Sequence, residues 1–444
     1  MIPPQVPTPK APGHVPPGLD AGTAPGAATA RAVVDLKAVA HNAQVLARAA
    51  AIPWMAVVKA DAYGHGLLPV SLTCLRAGAS WLGVAQLAEA LHLRALLDEA
   101  AVARPVAGAP ASPQAPRVLT WIMPVLRPQE AAGEGSPLRA ALAADLDLSV
   151  STSDQLAAVT AAARAQGQMA RVHLKADTGM SRAGAVAQDL PELAAGARQA
   201  QEAGLIQVVG LWSHLSRADE PGSGSTQEHL RRFRLAEQLL HEAGLRPPLR
   251  HLAATGGLLW HPETRLDLVR AGIGLYGLSP APEVASGTEL GLRPAMRLES
   301  RLLQVKRIPA GQAVSYGGTW TAPTDRWVGL VPLGYADGVP RAAASCGPVW
   351  AGGRRTQVVG KVCMDQFMID LGPVTGSGAQ QEQPVPPAQA GDPVVLWGDP
   401  QTLPGVPTAD DWAQACETIS YEMVTRLGPR VPRAYTDNSD EEHS

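Results

Sequence analysis

The stretch Val57-Val58-Lys59-Ala60-Asp61-Ala62-Tyr63-Gly64-His65-Gly66 constrains this chain more than any other. It closes an apolar run, Trp54 to Val58, that is short, β-branched at two positions and ended by turn-forming residues, the pattern of a buried strand. A lysine stands at its end. Burying a lysine is costly unless the amine is paired, neutralised or covalently bonded. Burial also lowers its pKa, and a neutral amine is the nucleophile that Schiff-base chemistry requires. For a solitary lysine, snorkelling to the rim of the sheet is the preferred reading. The surrounding chain must decide between the two.

From Ala32 to about Gly277, strand and helix candidates alternate. Strands are expected at Val57 to Lys59, Trp81 to Val84, Val118 to Met123, Leu148 to Val150, Val172 to Ala176, Ile206 to Trp212, Leu249 to Ala253 and Leu266 to Val269. Amphipathic stretches such as Gln86 to Glu99, Ser153 to Gln166, Leu193 to Ala203 and Thr226 to Ala243 lie between them. Ser153 is placed as a helix N-cap, and Gly204 and Gly244 as helix stops. Eight such units predict an N-terminal (β/α)8 TIM-like barrel, assigned to residues 31–285, although a doubly wound sheet shares the alternation. From Arg293 the rhythm turns to strands separated by Gly and Pro: Met296 to Val305, Trp327 to Leu333, Gln357 to Cys363, Phe367 to Leu371 and Val394 to Leu396. This predicts a mostly-β C-terminal domain over residues 286–435, with a helix from Thr408 to about Tyr421. Two domains suit 444 residues.

Residues 1–30 are rich in Pro, Ala and Gly, without the basic start and apolar core of a signal peptide, and are expected to be a disordered tail. Residues 436–444 form a polar tail, and 104–116 and 376–389 read as solvated insertions. A net charge of −3 gives no electrostatic reason to expect nucleic acid or an acidic membrane as partner. No apolar run is long enough to span a bilayer. The four cysteines, Cys74, Cys346, Cys363 and Cys416, are scattered and form no CxxC pair, so no metal site or disulfide framework is expected and a reducing, cytoplasmic location is.

Catalytic side chains of such barrels gather at the C-terminal ends of the strands. Leu174-Lys175-Ala176-Asp177-Thr178-Gly179-Met180-Ser181-Arg182-Ala183-Gly184 follows one strand, with Gly179 and Gly184 framing a tight loop that would hold Arg182 over the site. As isolated charges, Lys175, Asp177 and Arg182 fit a solvated cluster equally well. His214, in Trp212-Ser213-His214-Leu215, ends another strand. Thr255, in His251-Leu252-Ala253-Ala254-Thr255-Gly256, opens a helix as either a phosphate ligand or an ordinary cap. Gly272, Gly274 and Gly277 read literally as a GxGxxG dinucleotide motif. Pro280 and Pro282 cannot continue the helix that motif needs, so a phosphate nest with the N–H groups of Gly272 and Ile273 suits the stretch better. Tyr316, Tyr335, Met364 and Tyr421 lie in four further strings: Val314-Ser315-Tyr316-Gly317-Gly318, Gly334-Tyr335-Ala336-Asp337-Gly338, Gly360-Lys361-Val362-Cys363-Met364-Asp365-Gln366 and Ile419-Ser420-Tyr421-Glu422.

In this order, the strings resemble the pyridoxal-phosphate-dependent alanine racemases of fold type III, over roughly Ala32 to Arg433. The resemblance implies that Lys59 bonds covalently to pyridoxal 5'-phosphate and serves as the base on one face of the substrate. Tyr316, supplied by the partner subunit, would serve on the other face. It further implies that Tyr63, Arg182, His214, Thr255, Arg270, Gly272, Ile273 and Tyr421 hold the cofactor, directly or through a neighbour. In the family Arg270's counterpart bonds the pyridine nitrogen, and the lysine matching Lys175, when carbamylated, positions the arginine matching Arg182. Arg182, Met364 and Tyr335 would bind substrate, with Tyr335, Arg341 and Tyr421 narrowing the entrance to admit a small side chain. The implied enzyme is a homodimer with shared sites that interconverts L- and D-alanine for peptidoglycan. One position departs from the pattern: Ala254-Thr255 replaces the usual Asn-Ser, which keeps a hydroxyl but removes an amide.

A broader-specificity amino-acid racemase is the main alternative. A related pyridoxal-phosphate decarboxylase lacks support, because there is no HxGN-like stretch or Gly-rich triplet. A barrel-only cofactor carrier would lack Tyr316 and Met364, and a nicotinamide dehydrogenase rests on the three glycines alone.

Overall fold

The computed structural model describes residues 29–105, 110–375 and 384–436. The expected tails, 1–30 and 436–444, lie almost wholly outside these residues, as do residues 106–109 and 376–383 of the two expected insertions. The described residues pack as two units, one spanning Asp35–Ala295 and the other combining residues 29–34 with Met296–Thr436.

The first unit is a parallel barrel of eight strands: Trp54–Val57, Trp81–Gln86, Arg117–Ile122, Asp147–Val150, Ala170–Lys175, Ile206–Trp212, Leu249–His251 and Val269–Ala271. Each of the first six pairs in parallel with the next, and Val269–Ala271 pairs back onto Trp54–Val57. Between Leu249–His251 and Val269–Ala271 the seam is closed by single bonds, Asp267 N to Arg250 O at 3.0 Å and Arg270 N to Ala253 O at 3.0 Å. Strands buried on both faces read as continuous apolar runs, which is why Trp54–Val57 is buried at every position.

Helices follow the strands and bury one stripe each. Ser153–Gln166 is capped by Thr152, whose side chain accepts from Gln155 N, and ends at left-handed Gly167. The cap is one residue earlier than Ser153 because Thr152 already holds extended backbone geometry. The last barrel strand begins at Val269, not Leu266. Asp267, ahead of it, uses its carboxylate to hold Arg250 N and the Arg250 guanidinium at 2.8 Å each, a turn clamp that apolar patterning does not reveal.

The second unit is built on an antiparallel sheet of nine strands. Their order across the sheet is Gln304–Ile308, Arg326–Val331, Phe367–Pro373, Arg354–Val359, Pro348–Ala351, Pro393–Trp397, Met296–Arg301, Ala30–Asp35 and Arg433–Thr436. The single strand expected from Met296 to Val305 is two. Met296–Arg301 pairs with Pro393–Trp397, whereas Gln304–Ile308 pairs with Arg326–Val331. The C-terminal helix is likewise split into Ala409–Ala415 and Ser420–Thr425.

Both barrel limits differ from the expected 31–285. Ala30–Asp35 pairs with Met296–Arg301, so the first strand in sequence is built into the β unit. Residues 286–295 pack with the barrel, where Ala295 O accepts Asp35 N at 2.8 Å. Pairings between segments some 265 residues apart leave no local signature. Among the described residues, no helix is long and apolar enough to cross a membrane, and no group of three or more His, Cys, Asp or Glu could hold a metal ion.

Helix Leu36–Ala50, capped by the Asp35 carboxylate, fastens the end of the barrel to its beginning. Its fully buried Asn42 donates to Leu275 O at 3.1 Å and Arg293 O at 2.8 Å, and accepts Arg293 N at 2.8 Å. Truncation strands two carbonyls and one N–H in the interior, at about 1–3 kcal/mol for each unsatisfied group. Asn42→Ala is therefore expected to lower unfolding stability by about 3 kcal/mol or more with little change in the surface exposed on unfolding. A denaturation midpoint equal to wild type would refute this role.

Candidate active site

The lysine follows strand Trp54–Val57 directly and opens a left-handed turn. Ala60, Asp61, Ala62 and Tyr63 all have φ of 53–54°, and Gly64 and Gly66 have φ of 78° and 98°. An L-residue in this region costs roughly 1–2 kcal/mol, so four in succession need outside support. Asp61 Oδ1 accepts Leu67 N at 2.8 Å, and Glu89 Oε1 accepts Ala60 N at 2.7 Å. Tyr63 packs against Tyr276 with ring centroids 4.7 Å apart, and His65 packs on the same ring at 4.5 Å. Tyr276 Oη in turn donates to Val57 O at 3.0 Å, locking the turn to its strand. Burial and then the charge of Arg182 lower the pKa of Lys59, which Glu89 partly offsets.

The next element carries Lys175 and Arg182. Ala170–Lys175 ends in a loop whose Asp177 Oδ1 accepts the N–H groups of Gly179, Met180 and Ser181 at 2.8–3.2 Å. Gly184 is required where the loop returns, because a Cβ there would lie 2.6 Å from the backbone of Ala176 and Asp177. The loop presents Arg182 exposed, and among the described residues it has no hydrogen-bond or ion-pair partner. Lys175 is buried with its Nζ 4.2 Å from the centroid of the Trp212 ring. Burial, then the charges of Arg270 and Arg182, pull its pKa down to about 8, so a large fraction of the amine is uncharged in mildly alkaline solution.

Arg270 lies at the centre of Val269–Ala271 and is 3% exposed. One Nη donates to His251 O at 2.9 Å and to His251 Nδ1 at 3.1 Å. The other donates to Ser213 O at 2.8 Å, Leu252 O at 3.0 Å and His214 Nδ1 at 3.2 Å. A guanidinium only donates, so both imidazoles accept through Nδ1 and carry their proton on Nε2. Burial, followed by the charge of Arg270, pushes both histidine pKa values well below the usual range, which keeps the rings neutral. His251 Nε2 then donates to His173 Nδ1 at 3.0 Å, and His173 Nε2 lies 3.6 Å from Asp147 Oδ1. Trp212 stacks on His251 at 5.5 Å, holding both lysine and arginine over its ring faces. Burial lowers the pKa of Arg270 to about 9, still well above neutrality.

A third cluster is small and polar. Gly272 N donates to Thr255 Oγ1 at 3.0 Å, and a Cβ at Gly272 would come within 2.9 Å of Tyr63 Oη. Thr255, Gly272 and Tyr63 thus converge although they come from three separate stretches. Thr255 is the first residue of the short helix Thr255–Trp260, and Ala254 caps it without a side-chain bond. Gly272 precedes a single 3₁₀ turn, Ile273–Tyr276, rather than the long helix a dinucleotide motif opens.

Tyr316, Tyr335 and Met364 belong to the β unit and are 73%, 42% and 53% exposed. Segment Gly360–Met364 brings them together. Ser315 Oγ donates to Lys361 O at 2.8 Å, Tyr335 N donates to Cys363 O at 3.0 Å, and Ala336 N to Met364 O at 3.0 Å. Gly334 permits the last contact, because a Cβ there would overlap Met364 O. Tyr421 is half-buried on the separate helix Ser420–Thr425.

Three residues that shape the barrel site carry no role in the sequence motifs: Glu89, His173 and Tyr276. His173 is detectable only as a histidine between the apolar Val172 and Leu174 of its strand, and it fits because position 210 is glycine, where a Cβ would overlap its Nδ1.

Residues 34–280 match the alanine racemase N-terminal domain family, and residues 295–435 match the alanine racemase C-terminal domain family. Alanine racemase of Beutenbergia cavernae is 49% identical over 412 residues, covering 93% of this chain and 99% of its own. That of Streptomyces coelicolor is 45% identical over 410 residues, covering 92% and 96%. The crystal structure of alanine racemase from D-cycloserine-producing Streptomyces lavendulae matches with a TM-score of 0.81 at 42% identity, covering 94% of this chain and 99% of that one. The chain belongs to the alanine racemase family.

Proposed function

We propose that this chain interconverts L- and D-alanine with pyridoxal 5'-phosphate as cofactor, as a homodimer with shared sites in the cytoplasm, supplying D-alanine for peptidoglycan. The observation that carries the reading is Arg270. Its Nη hydrogens are committed to three carbonyls and two neutral histidines, and among the described residues its Nε–H has no partner. A buried guanidinium with one donor to spare, in a barrel that also carries Lys59, suits an aromatic ring nitrogen as acceptor.

The remaining groups fit the cofactor and an amino acid. Tyr63, Thr255 and the N–H groups of Gly272 and Ile273 would hold the phosphate, at the place where glycine leaves room beside Tyr63 Oη. Lys59, Lys175, Arg182 and Arg270 all act electrostatically on His214, and such a concentration of positive charge favours an anionic ligand. Arg182, without a hydrogen-bond or ion-pair partner among the described residues, would take the substrate carboxylate, with Met364 and Tyr335 of the partner subunit. Tyr421 would complete the cofactor's surroundings. When bound, the cofactor supplies the electron sink that acidifies the substrate's Cα–H.

The chain's own residues then move protons. Lys59, whose amine is driven towards its neutral form, takes the Cα proton on one face. Tyr316, exposed in its own subunit and therefore open to another, returns a proton on the opposite face. Arg270 keeps its protons at pH 7 and would donate to the cofactor's ring nitrogen rather than protonate it, a role that would favour rapid return of the proton over transamination. All four cysteines are free, as a reducing compartment requires.

The function is tested by incubating the cofactor-loaded protein with separate L-amino acids and resolving the D-enantiomers by chiral chromatography. D-alanine should form far faster than D-serine, D-lysine or D-arginine. Equal or better turnover of another amino acid would transfer the assignment to a broader-specificity racemase and give Ala254 a part in it. Arg270→Glu should raise the ratio of transamination to racemisation, a ratio that does not depend on the fraction of protein folded. An unchanged ratio would remove the argument from the ring nitrogen. Mixing Lys59→Ala with Tyr316→Ala protein should regain part of the wild-type activity, because each hybrid dimer holds one intact site. No recovery after verified subunit exchange would rule out shared sites.

A further inference from the structure

Glu89 belongs to none of the motifs above, yet its carboxylate joins two strand ends. Oε1 accepts Ala60 N at 2.7 Å, and Oε2 accepts the N–H groups of Ala85 and Gln86 at 3.0 Å each. Ala60 directly follows Lys59 and begins the run of four left-handed non-glycine residues. Ala85 and Gln86 end Trp81–Gln86, the parallel neighbour of Trp54–Val57. Glu89 itself lies in the first turn of helix Leu87–Glu99, so its position is set by that helix and its capping box. The carboxylate thus ties the turn after Lys59 to the rigid edge of the next barrel unit.

Residue type matters here. Three N–H donors on two oxygens need an acceptor at both ends of the side chain, which an ionised carboxylate provides. Glutamine has one acceptor oxygen, and its NH2 would face at least one of the three N–H groups. Ala60 and Asp61 are exposed, so packing does little to hold the first half of the turn. Asp61 Oδ1 and the rings of Tyr63, His65 and Tyr276 secure its second half.

We propose that Glu89 is a positioning residue for Lys59, holding the left-handed turn so that the amine is presented at the strand end. The inference rests on the reading of Lys59 as the lysine that bonds to the cofactor. Glu89 is half-buried and acts through the backbone of Ala60.

The test compares the full-length chain with Glu89→Gln, Glu89→Ala and Glu89→Asp. Hydrogen exchange is followed by mass spectrometry, and covalent capture of pyridoxal 5'-phosphate is followed by visible absorbance, with borohydride trapping and peptide mapping to locate it. In Glu89→Gln, exchange in the peptide covering residues 59–66 should rise about tenfold, the loss expected for one charge-assisted hydrogen bond. Strand Ala170–Lys175 should exchange as in wild type, and capture at Lys59 should slow by a comparable factor. Glu89→Asp, which retains a carboxylate, should recover part of both effects. Wild-type exchange and capture in Glu89→Gln overturn the proposal, and so does faster exchange with unchanged capture, which leaves a purely structural clamp. If Glu89→Ala fails to fold, the Gln and Asp variants decide on the same two readouts. If wild type captures the cofactor elsewhere than Lys59, the cofactor reading is overturned, and positioning for capture falls with it.

Discussion

The burial of one guanidinium organises the mouth of the barrel. Arg270 sits on the last strand, next to the seam where the barrel closes, and its hydrogen bonds reach Ser213, His214, His251 and Leu252 on the two preceding strand ends. An unpaired buried charge is worth several kcal/mol of destabilisation, so these partners are obligatory rather than decorative. Meeting that demand draws three consecutive strand ends together. It also fixes the tautomers of two histidines, and a third histidine carries the chain of contacts back to Asp147 in the barrel interior.

The same charge sets the chemistry around it. Arg270 is second only to burial in depressing Lys175, His214 and His251, so the site contains neutral imidazoles and a readily deprotonated lysine. Trp212 makes this tolerable: its ring faces Lys175 and Arg270 and stacks on His251, offering both cations a π surface. A carboxylate at the same position would quench the positive field that anionic ligands need. After the strand paired directly with that of Arg270, the strained turn that follows Lys59 stores backbone energy that neighbouring side chains offset.

In the β unit, backbone bonds and the Ser315 hydroxyl gather Tyr316, Tyr335 and Met364 along segment Gly360–Met364 and leave them exposed. Large apolar and aromatic groups clustered at a surface are typical of an interaction site, which agrees with the proposal that they complete a site in a second copy of the chain.

The sequence by itself determined the alternating parallel β/α units, the β-rich second unit and most strand positions, because buried parallel strands are uninterrupted apolar runs whose ends fall at turn-forming residues, whereas closure into a barrel rests on the pairing of Val269–Ala271 with Trp54–Val57. It also placed Lys59, Arg182, His214, Thr255 and Arg270 at strand ends, since each lies within a few residues of a recognisable run. Tertiary structure decided the rest. The pairing of Ala30–Asp35 with Met296–Arg301 depends on contacts between distant segments, and local periodicity carries no trace of them. The roles of Glu89, His173 and Tyr276 depend on which backbone group or ring lies opposite each. The left-handed turn after Lys59 contradicts the preferences of its own alanines and tyrosine, so only the bonds made to it by the rest of the fold could select it.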